Sequence, residues 1–350
     1  MHLDNPDNIF ESMVLNDDAC FLCGKHLSNR KTDEHVFPKW LQRKHDLWEQ
    51  QLSLLNQTFI KYRQLTIPCC KKCNNEHLGQ LESKIEKAFR SGYKAVSSLP
   101  DVILYQWMGK IFYGILRREL QLYADLSDKE AGTIIPPELI QSFSSLHLFL
   151  QSIRKPFGFS EGGHFSALVV NMHYGKTFAN YDFMDNLPFM VIALQSDDVG
   201  VILALQDAGL IRDTYGRYVT DIAGRKLVPI QFDELYAKVL YQVSLLTRVP
   251  KFITAASNDS SSPVKVFMMP LAGFSTVPVL KKWNQEDYAH CLAAILSRSH
   301  PEVTMDKIFV PPGKVMTWMN DASGNLTFFE SDGRKAKTRT RRGRRTLRRD

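Results

Sequence analysis

Long apolar runs are missing from this chain, and with them any segment of the roughly 20 residues that crosses a bilayer as a helix. The polar start Met1-His2-Leu3-Asp4-Asn5 lacks the charged and apolar stretches of a secretory signal. There is no phosphate-binding glycine loop, dinucleotide fingerprint or nucleophile elbow, and no internal repeat. These absences argue against a membrane protein and against the commonest nucleotide-binding and serine-hydrolase designs, and the expectation is a soluble cytoplasmic protein without a membrane partner. Disorder is also excluded for most of the chain: 350 residues with 44% hydrophobic and 23% charged residues can bury a full core, and at roughly 150 residues per domain two units are expected.

A uniformly basic surface is lacking too. The formal charge of +7 comes from the segment Arg334 to Asp350, whose ten basic residues and one acid contribute +9 and leave the first 333 residues at −2. Phosphate attraction is therefore concentrated in an arginine-rich extension with almost nothing to bury, expected to be disordered.

Cysteine is scarce outside the first quarter. Cys20, Cys23, Cys69, Cys70 and Cys73 lie there and only Cys291 lies elsewhere. Without an export signal, such clustering points to metal rather than to disulfides. Cys20-Phe21-Leu22-Cys23 and Cys70-Lys71-Lys72-Cys73 are two CxxC pairs separated by 46 residues. Two intervening residues make a tight knuckle that aims both thiolates at one ion, and two knuckles complete the tetrahedron of a structural zinc site. Cys69 offers an alternative CxxxC spacing with Cys73; the expectation is Cys70 as ligand, with Cys69 and His26 as bystanders.

The texture of the chain divides it into three. Residues 1–95 form a polar module holding these cysteines and five of the ten histidines, with a helix expected from Leu78 to Ala95. Residues 96–333 read as a larger α+β domain. In it, Leu104, Met108, Ile111, Phe112, Ile115, Leu116 and Leu120 mark an amphipathic helix after Pro100, with Arg117, Arg118 and Glu119 on its outer arc. Further helices are expected from near Pro137 to Ile153, from Asp233 to Leu246, and from Gln285 to Ser297 with Asn284 as cap. Short β-rich runs at Phe165 to Met172, Phe189 to Gln195 and Gly200 to Gln206 predict an antiparallel sheet, the last two joined through Ser196 to Val199. Gly162-Gly163-His164, Asp197-Asp198 and Asp207-Ala208-Gly209 read as turns, and residues 257–263 as a loop. Residues 334–350 are the basic tail.

Asp33-Glu34-His35-Val36-Phe37-Pro38 and Cys73-Asn74-Asn75-Glu76-His77 flank and follow the knuckles. The order of a first CxxC, an acid, a histidine, an aliphatic residue and a proline, then CxxCN and a histidine three residues on, resembles the zinc-bearing HNH (His-Me finger) endonucleases over roughly residues 18–90. That resemblance implies a zinc-stapled ββα-metal module that hydrolyses phosphodiester bonds, with DNA as the substrate. His35 would be the general base, and Glu34, Asn74 and His77 would hold a catalytic Mg²⁺ or Mn²⁺. Three departures stand out: Glu34 replaces the usual Asp or His, Gln64 is the nearest counterpart of the family's central asparagine, and the segment between the motif halves is long and lacks a Gly-Gly. Apart from any resemblance, phosphodiester hydrolysis near neutral pH needs a base and a hard cation, and a histidine's ordinary pKa suits the first role.

Trp40 and Trp48, with Lys39, Arg43, Lys44, Lys61 and Arg63, place aromatic and basic residues where a nucleic-acid backbone would be positioned, or else form a packed pair with a solvated rim. The competing reading of the whole module is a catalytically silent zinc-binding adaptor for nucleic acid or protein. Residues 96–333 would regulate or target the module by sensing a ligand, self-associating or docking a protein, and family association suggests bacterial defence or mobile-element biology. The tail, with Arg341, Arg342, Arg344 and Arg345 at its centre, should bind phosphate loosely through counterion release, at a log-log salt slope near −0.9 per neutralised phosphate on duplex DNA. Deleting residues 334–350 is expected to flatten the salt dependence of DNA binding measured by fluorescence anisotropy; an unchanged slope would remove the tail from the interface.

Overall fold

The computed structural model describes residue 10 and residues 16–27, 31–159, 163–174, 180–222, 225–255, 262–271, 273 and 275–320. The arginine-rich tail and most of the loop 257–263 lie outside the described residues, as does Gly162. Helices and strands are mixed throughout, giving an α+β protein with two compact units. The first comprises Met1–Ser91, Ser98–Ser166 and Pro250–Pro270, and the second Gly92–Ser97, Ala167–Val249 and Leu271–Asp350. Residues 98–166, grouped by sequence texture with the second domain, thus cluster with the cysteine-bearing segment.

In the first unit, β1 (Lys31–His35) pairs antiparallel with β4 (Thr66–Cys70), setting Thr32 opposite Cys69 and His35 opposite Thr66. Between them run a short helix α1 (Lys39–Lys44) and a hairpin of β2 (Gln51–Ser53) and β3 (Phe59–Lys61). After β4 the chain makes a wide helical turn over Cys73–Leu78 and continues as α2 (Gly79–Arg90). The helix expected to reach Ala95 stops at Arg90, because Gly92 takes φ 83°, a left-handed conformation that a helix cannot continue through.

Helix α3 (Asp101–Glu119) starts after Pro100, with Asp101 in its first turn and Arg117 and Arg118 in its last, the charge order that suits a helix dipole. The expected amphipathic character is not found. Residues 104–117 are all buried, and only Arg118 of the supposed outer arc is exposed. The charges have local partners instead: Arg117 Nη2 lies 2.6 Å from Asp17 Oδ1, and Glu119 accepts the Leu55 amide at 3.0 Å. The segment 137–153 is helical as expected but broken into a 3₁₀ turn, α4 (Ser144–Leu150) and a second 3₁₀ turn. Strand β5 (Phe157–Phe159) completes a three-stranded sheet with Phe252–Ala255 and Val264–Met268.

The second unit is built on a five-stranded sheet of β6 (Ser166–Met172), β7 (Tyr181–Asn186), β8 (Val191–Ser196), β9 (Val199–Ala204) and β10 (Lys226–Leu227), ordered β10-β6-β9-β8-β7. The β8–β9 hairpin turns where the sequence places it, with Ser196 opposite Val199 and Asp197 at φ 50°. The sheet is mixed rather than antiparallel, since β10 runs parallel to β6; the 53 residues between them supply the crossover such a pair requires. Asp207-Ala208-Gly209 is a helix cap as well as a turn, its carboxylate accepting from Gly209 and Ile211 at the start of α5 (Leu210–Asp221). Helix α6 (Pro229–Ser244) lays Phe232, Leu235, Tyr236 and Val239 into the sheet's core, and α7 (Gln285–Leu296) begins as expected, with Asn284 Oδ1 accepting from Glu286 at 2.8 Å and Asp287 at 3.2 Å.

Gly200 marks the tightest contact of this core: a Cβ there would sit 2.5 Å from Phe232 Cε2. Gly200→Ala should therefore cost about 1–3 kcal/mol by overpacking, read as a lowered melting temperature, and an unchanged midpoint would show that Phe232 yields freely.

Candidate functional site

The first knuckle is shaped by its own backbone and held from outside. The Cys20 amide donates to Lys25 O at 2.9 Å and the Gly24 amide to Cys20 O at 2.9 Å, while the Phe21 amide donates to Pro68 O of β4 at 2.9 Å. That last bond ties one knuckle to the strand that leads into the other. Around it, His147 Nε2 of α4 lies 2.7 Å from Phe21 O, and Arg154 reaches Gln151 Oε1 at 2.8 Å and Leu22 O at 3.5 Å. Burial holds His147 well below the ordinary histidine value, at about 4, so it serves as a neutral hydrogen-bonding group.

The sulfurs of Cys20, Cys23, Cys70 and Cys73 all lie within 4.8 Å of one another, a group that could hold a metal ion. Cys70 is the member of the Cys69-Cys70 pair that belongs to it. Cys69 is nonetheless close, its Sγ 3.9 Å from that of Cys20. The thiols hydrogen-bond to one another, so ionising one opposes ionising the others. Hydrogen bonding from Cys23, Cys69 and Cys73 holds Cys20 far below the usual thiol range; the same bond pushes Cys23 up to about 11 and drives Cys73 higher, and Cys69 is raised by Cys20 and by burial. A dication removes this conflict by allowing several thiolates at once. His26 is not among the grouped residues.

A cleft of about 300 Å³ opens among β1, α1 and α2, lined by Asp33, Glu34, His35, Pro38, Lys39, Trp40, Asn74, Glu82 and Glu86. It brings together Glu34, His35 and Asn74 from the two motif halves. His77 and Gln64 are not among its lining residues: His77 lies half-buried in the turn after Cys73, and Gln64 ends the short 3₁₀ turn before β4. His35 is half-buried with its ring stacked on Trp48, centroids 5.8 Å apart. Burial, then Lys39 and Lys110, lower its pKa, which favours the neutral base form. Asn74 donates through Nδ2 to Thr32 Oγ1 at 3.1 Å.

One participant has no sequence signal. Lys110 of α3 is fully buried, with Nζ 2.6 Å from Glu34 Oε1 and 2.9 Å from Glu82 Oε1. Burial alone would lower its pKa, but the two carboxylates raise it above the ordinary lysine value; burial, with Glu34 added, lifts Glu82. Lys110 stands within an apolar stretch, and nothing in its spacing distinguishes it. Glu34, expected as a metal ligand, thus has one oxygen committed to an ammonium. Among the described residues, the four cysteines are the group of His, Cys, Asp and Glu close enough to share an ion, and the cleft carboxylates do not form a second.

Trp40 and Trp48 are not a pair. Trp40 stacks at 6.0 Å on Trp107 of α3, and Trp48 serves His35. Of the basic rim, Lys39, Arg43 and Lys44 are exposed; Lys61 and Arg63 are half-buried and pair with Glu49, at 2.7 and 2.8 Å. Such surface pairs are weak and open readily to a phosphate. In the second unit, a cavity of about 490 Å³ lined by Tyr215, Tyr218, Trp283 and Lys238 contains none of the residues expected to do chemistry. No helix of the described residues is long and apolar enough to cross a membrane.

No protein-family model, curated protein or solved structure matches the chain.

The four-sulfur geometry predicts about one tightly bound metal ion per chain by elemental analysis of the purified protein. Cys70→Ser should abolish it and Cys69→Ser should retain it; the reverse result would move the centre to the neighbouring thiol.

Proposed function

We propose that the chain is a metal-dependent nuclease: a structural zinc ion on Cys20, Cys23, Cys70 and Cys73 staples the module, and His35 acts as general base in hydrolysis of a nucleic-acid phosphodiester bond. One observation carries the reading. The acidic-histidine segment and the residue after the second knuckle, 39 positions apart, meet at a single cleft, with His35 and Asn74 both on its wall. A histidine in neutral form, held face-on by Trp48, at the mouth of an open polar cleft is suited to take a proton from water.

The thiolate set suits zinc, whose tetrahedral four-sulfur sites contribute folding free energy directly. For a second cation the donor chemistry fits and the ligand count is small. Around the cleft Asp33, Glu34, Glu82 and Glu86 face Lys39, Lys110 and the Arg90 that pairs with Glu86 at 2.6 Å, so the acids exceed the cations by one and a phosphodiester would gain from added positive charge. Mg²⁺ keeps several waters and needs only one or two protein oxygens, so an open set without three clustered carboxylates suits it. Asn74 Oδ1 and the carboxylate of Asp33 or Glu34 would hold it, with His77 outside the cleft. A divalent cation there would supply charge neutralisation for the phosphoryl and leaving oxygens. In the protein's own steps, Lys39, Arg43 and Lys44 hold the nucleic-acid backbone, Trp48 keeps the imidazole in plane, and Nδ1 or Nε2 of His35 accepts the proton of the attacking water. DNA is the proposed substrate, with residues 334–350 adding sequence-independent affinity.

Supercoiled plasmid, single-stranded DNA and RNA incubated with Mg²⁺, Mn²⁺ or EDTA test the reading. Wild-type protein should cleave in a metal-dependent way, and His35→Ala should lower the rate by about 10²–10⁴ with its zinc content unchanged. Equal cleavage by both proteins would discard His35. No cleavage by either would favour a silent zinc scaffold, which the commitment of Glu34 to Lys110 would also suit.

A further inference from the structure

We infer that helix α3 belongs to the reacting site, through Lys110 as a positioning residue for His35 and Gly114 as the clearance that lets it act; the inference rests on the nuclease reading. Lys110 Nζ donates to His35 O at 2.8 Å and lies 3.3 Å from Val36 O, in addition to its contacts with Glu34 and Glu82. These carbonyls are those of the base itself and of the residue after it. His35 is the last residue of β1, opposite Thr66, and beyond it the Val36 amide makes one further bond, to Leu65 O at 3.0 Å. At that point the ladder stops supplying donors, and the buried ammonium supplies them. Because a peptide plane sets the direction of the adjoining Cα–Cβ bond, holding the 35–36 carbonyls fixes how the imidazole leaves the strand.

Gly114 lies one helical turn beyond Lys110 on the same face of α3. A Cβ at this position would lie 2.4 Å from Val36 Cγ2 and 2.8 Å from Cγ1. Backbone of α3 is therefore packed directly against the side chain that follows the base, and no residue larger than glycine fits without moving it. Lys110 and Gly114 grip the same two-residue segment, one by charge and one by close approach, while Trp48 stacks against the ring of His35. The same ammonium also sets the carboxylates of Glu34 and Glu82, two of the cleft's four acids.

The test uses the full chain and the variants Lys110→Met, Gly114→Ala, Val36→Ala and Val36→Ala/Gly114→Ala, with kcat, KM, bound metal and the imidazole NMR signals of His35 as readouts. Lys110→Met is expected to lower kcat by about 10²-fold, the cost of misplacing a reacting group by about an ångström, while KM stays within about twofold and the four-cysteine ion is retained. Gly114→Ala should lower kcat by about 10-fold or more by the same logic and shift the His35 signals. Trimming Val36 in the double variant should restore both towards those of Val36→Ala, a recovery that general destabilisation would not give, since Val36→Ala itself only removes packing. If Lys110→Met does not fold, the Gly114 and Val36 set decides alone. Wild-type kcat in a folded Lys110→Met or in Gly114→Ala, with His35→Ala inactive, overturns the inference and leaves the nuclease reading standing. An inactive wild-type protein overturns the nuclease reading, and the His35 signals then still show whether Gly114→Ala moves the imidazole; unmoved signals overturn the positioning as well.

Discussion

A single buried ammonium, that of Lys110, joins three pieces of chain that have little reason to cohere otherwise. Its fully buried Nζ contacts carboxylates from β1 and α2 and carbonyls at the end of β1. Bringing a lysine and two carboxylates out of water costs several kcal/mol per ion, and the return depends on geometry and on filling every donor. Here the donors are filled. Losing one partner of such a cluster leaves an uncompensated charge and costs about 3–5 kcal/mol, far more than the whole cluster contributes relative to a well-packed apolar replacement. The arrangement is therefore poor as a stability device and effective as a constraint: it admits one relative placement of β1, α2 and α3.

The four-cysteine centre and this ion cluster divide the work of holding a segment with a small core of its own. The knuckles fix β4 to the amino-terminal loop through the Phe21–Pro68 bond, and the cluster fixes β1 and α2 to α3. Aromatic packing completes the join, with Trp107 of α3 in contact with Trp40 of α1 and Phe89 of α2. The first ninety residues thus use α3 as a wall, which explains why a helix placed by sequence texture in another domain is buried almost all round. A module cut at residue 95 would expose the apolar faces of Trp40 and Phe89 and leave Glu34 and Glu82 without their cation.

What was legible in the sequence is what local spacing encodes. Two CxxC pairs can form knuckles wherever they occur, so Cys20, Cys23, Cys70 and Cys73 meet as expected; the choice of Cys70 over Cys69 followed from the same spacing. The Asn284 cap and the turn at Asp197 are likewise short-range chemistry. Long-range partners left no trace. Lys110, Gly109 and Gly114 interrupt an apolar period without any spacing that marks a distant partner, yet Lys110 and Gly114 make contacts that shape the site. Helix α5 carries no periodic signal because Ile211 is the residue it buries among polar neighbours. The parallel edge strand β10 is two residues long and has no signature at all.

The acidity of the cleft shapes the functional argument most. A surface that binds nucleic acid for its own sake presents cations to phosphates, as exposed Lys39, Arg43 and Lys44 would in the proposed complex. The cleft itself is lined by Asp33, Glu34, Glu82 and Glu86 beside His35 and Lys39, with Glu86 paired to Arg90 at 2.6 Å. An adaptor gains nothing from acids at the point of contact, because each repels the backbone it is meant to hold. A hydrolytic site does gain, since oxygen ligands recruit the hard cation on which the scissile phosphate is then held. Lys110 pairs with Glu34 and Glu82 without entering the cleft's lining, which tempers the repulsion among the acids and, with Arg90 on Glu86, leaves the cleft with a small acidic excess. In the proposed reaction, exposed Lys39, Arg43 and Lys44 would draw a polyanion in, and the cleft's acids would admit it to His35 only with a cation present.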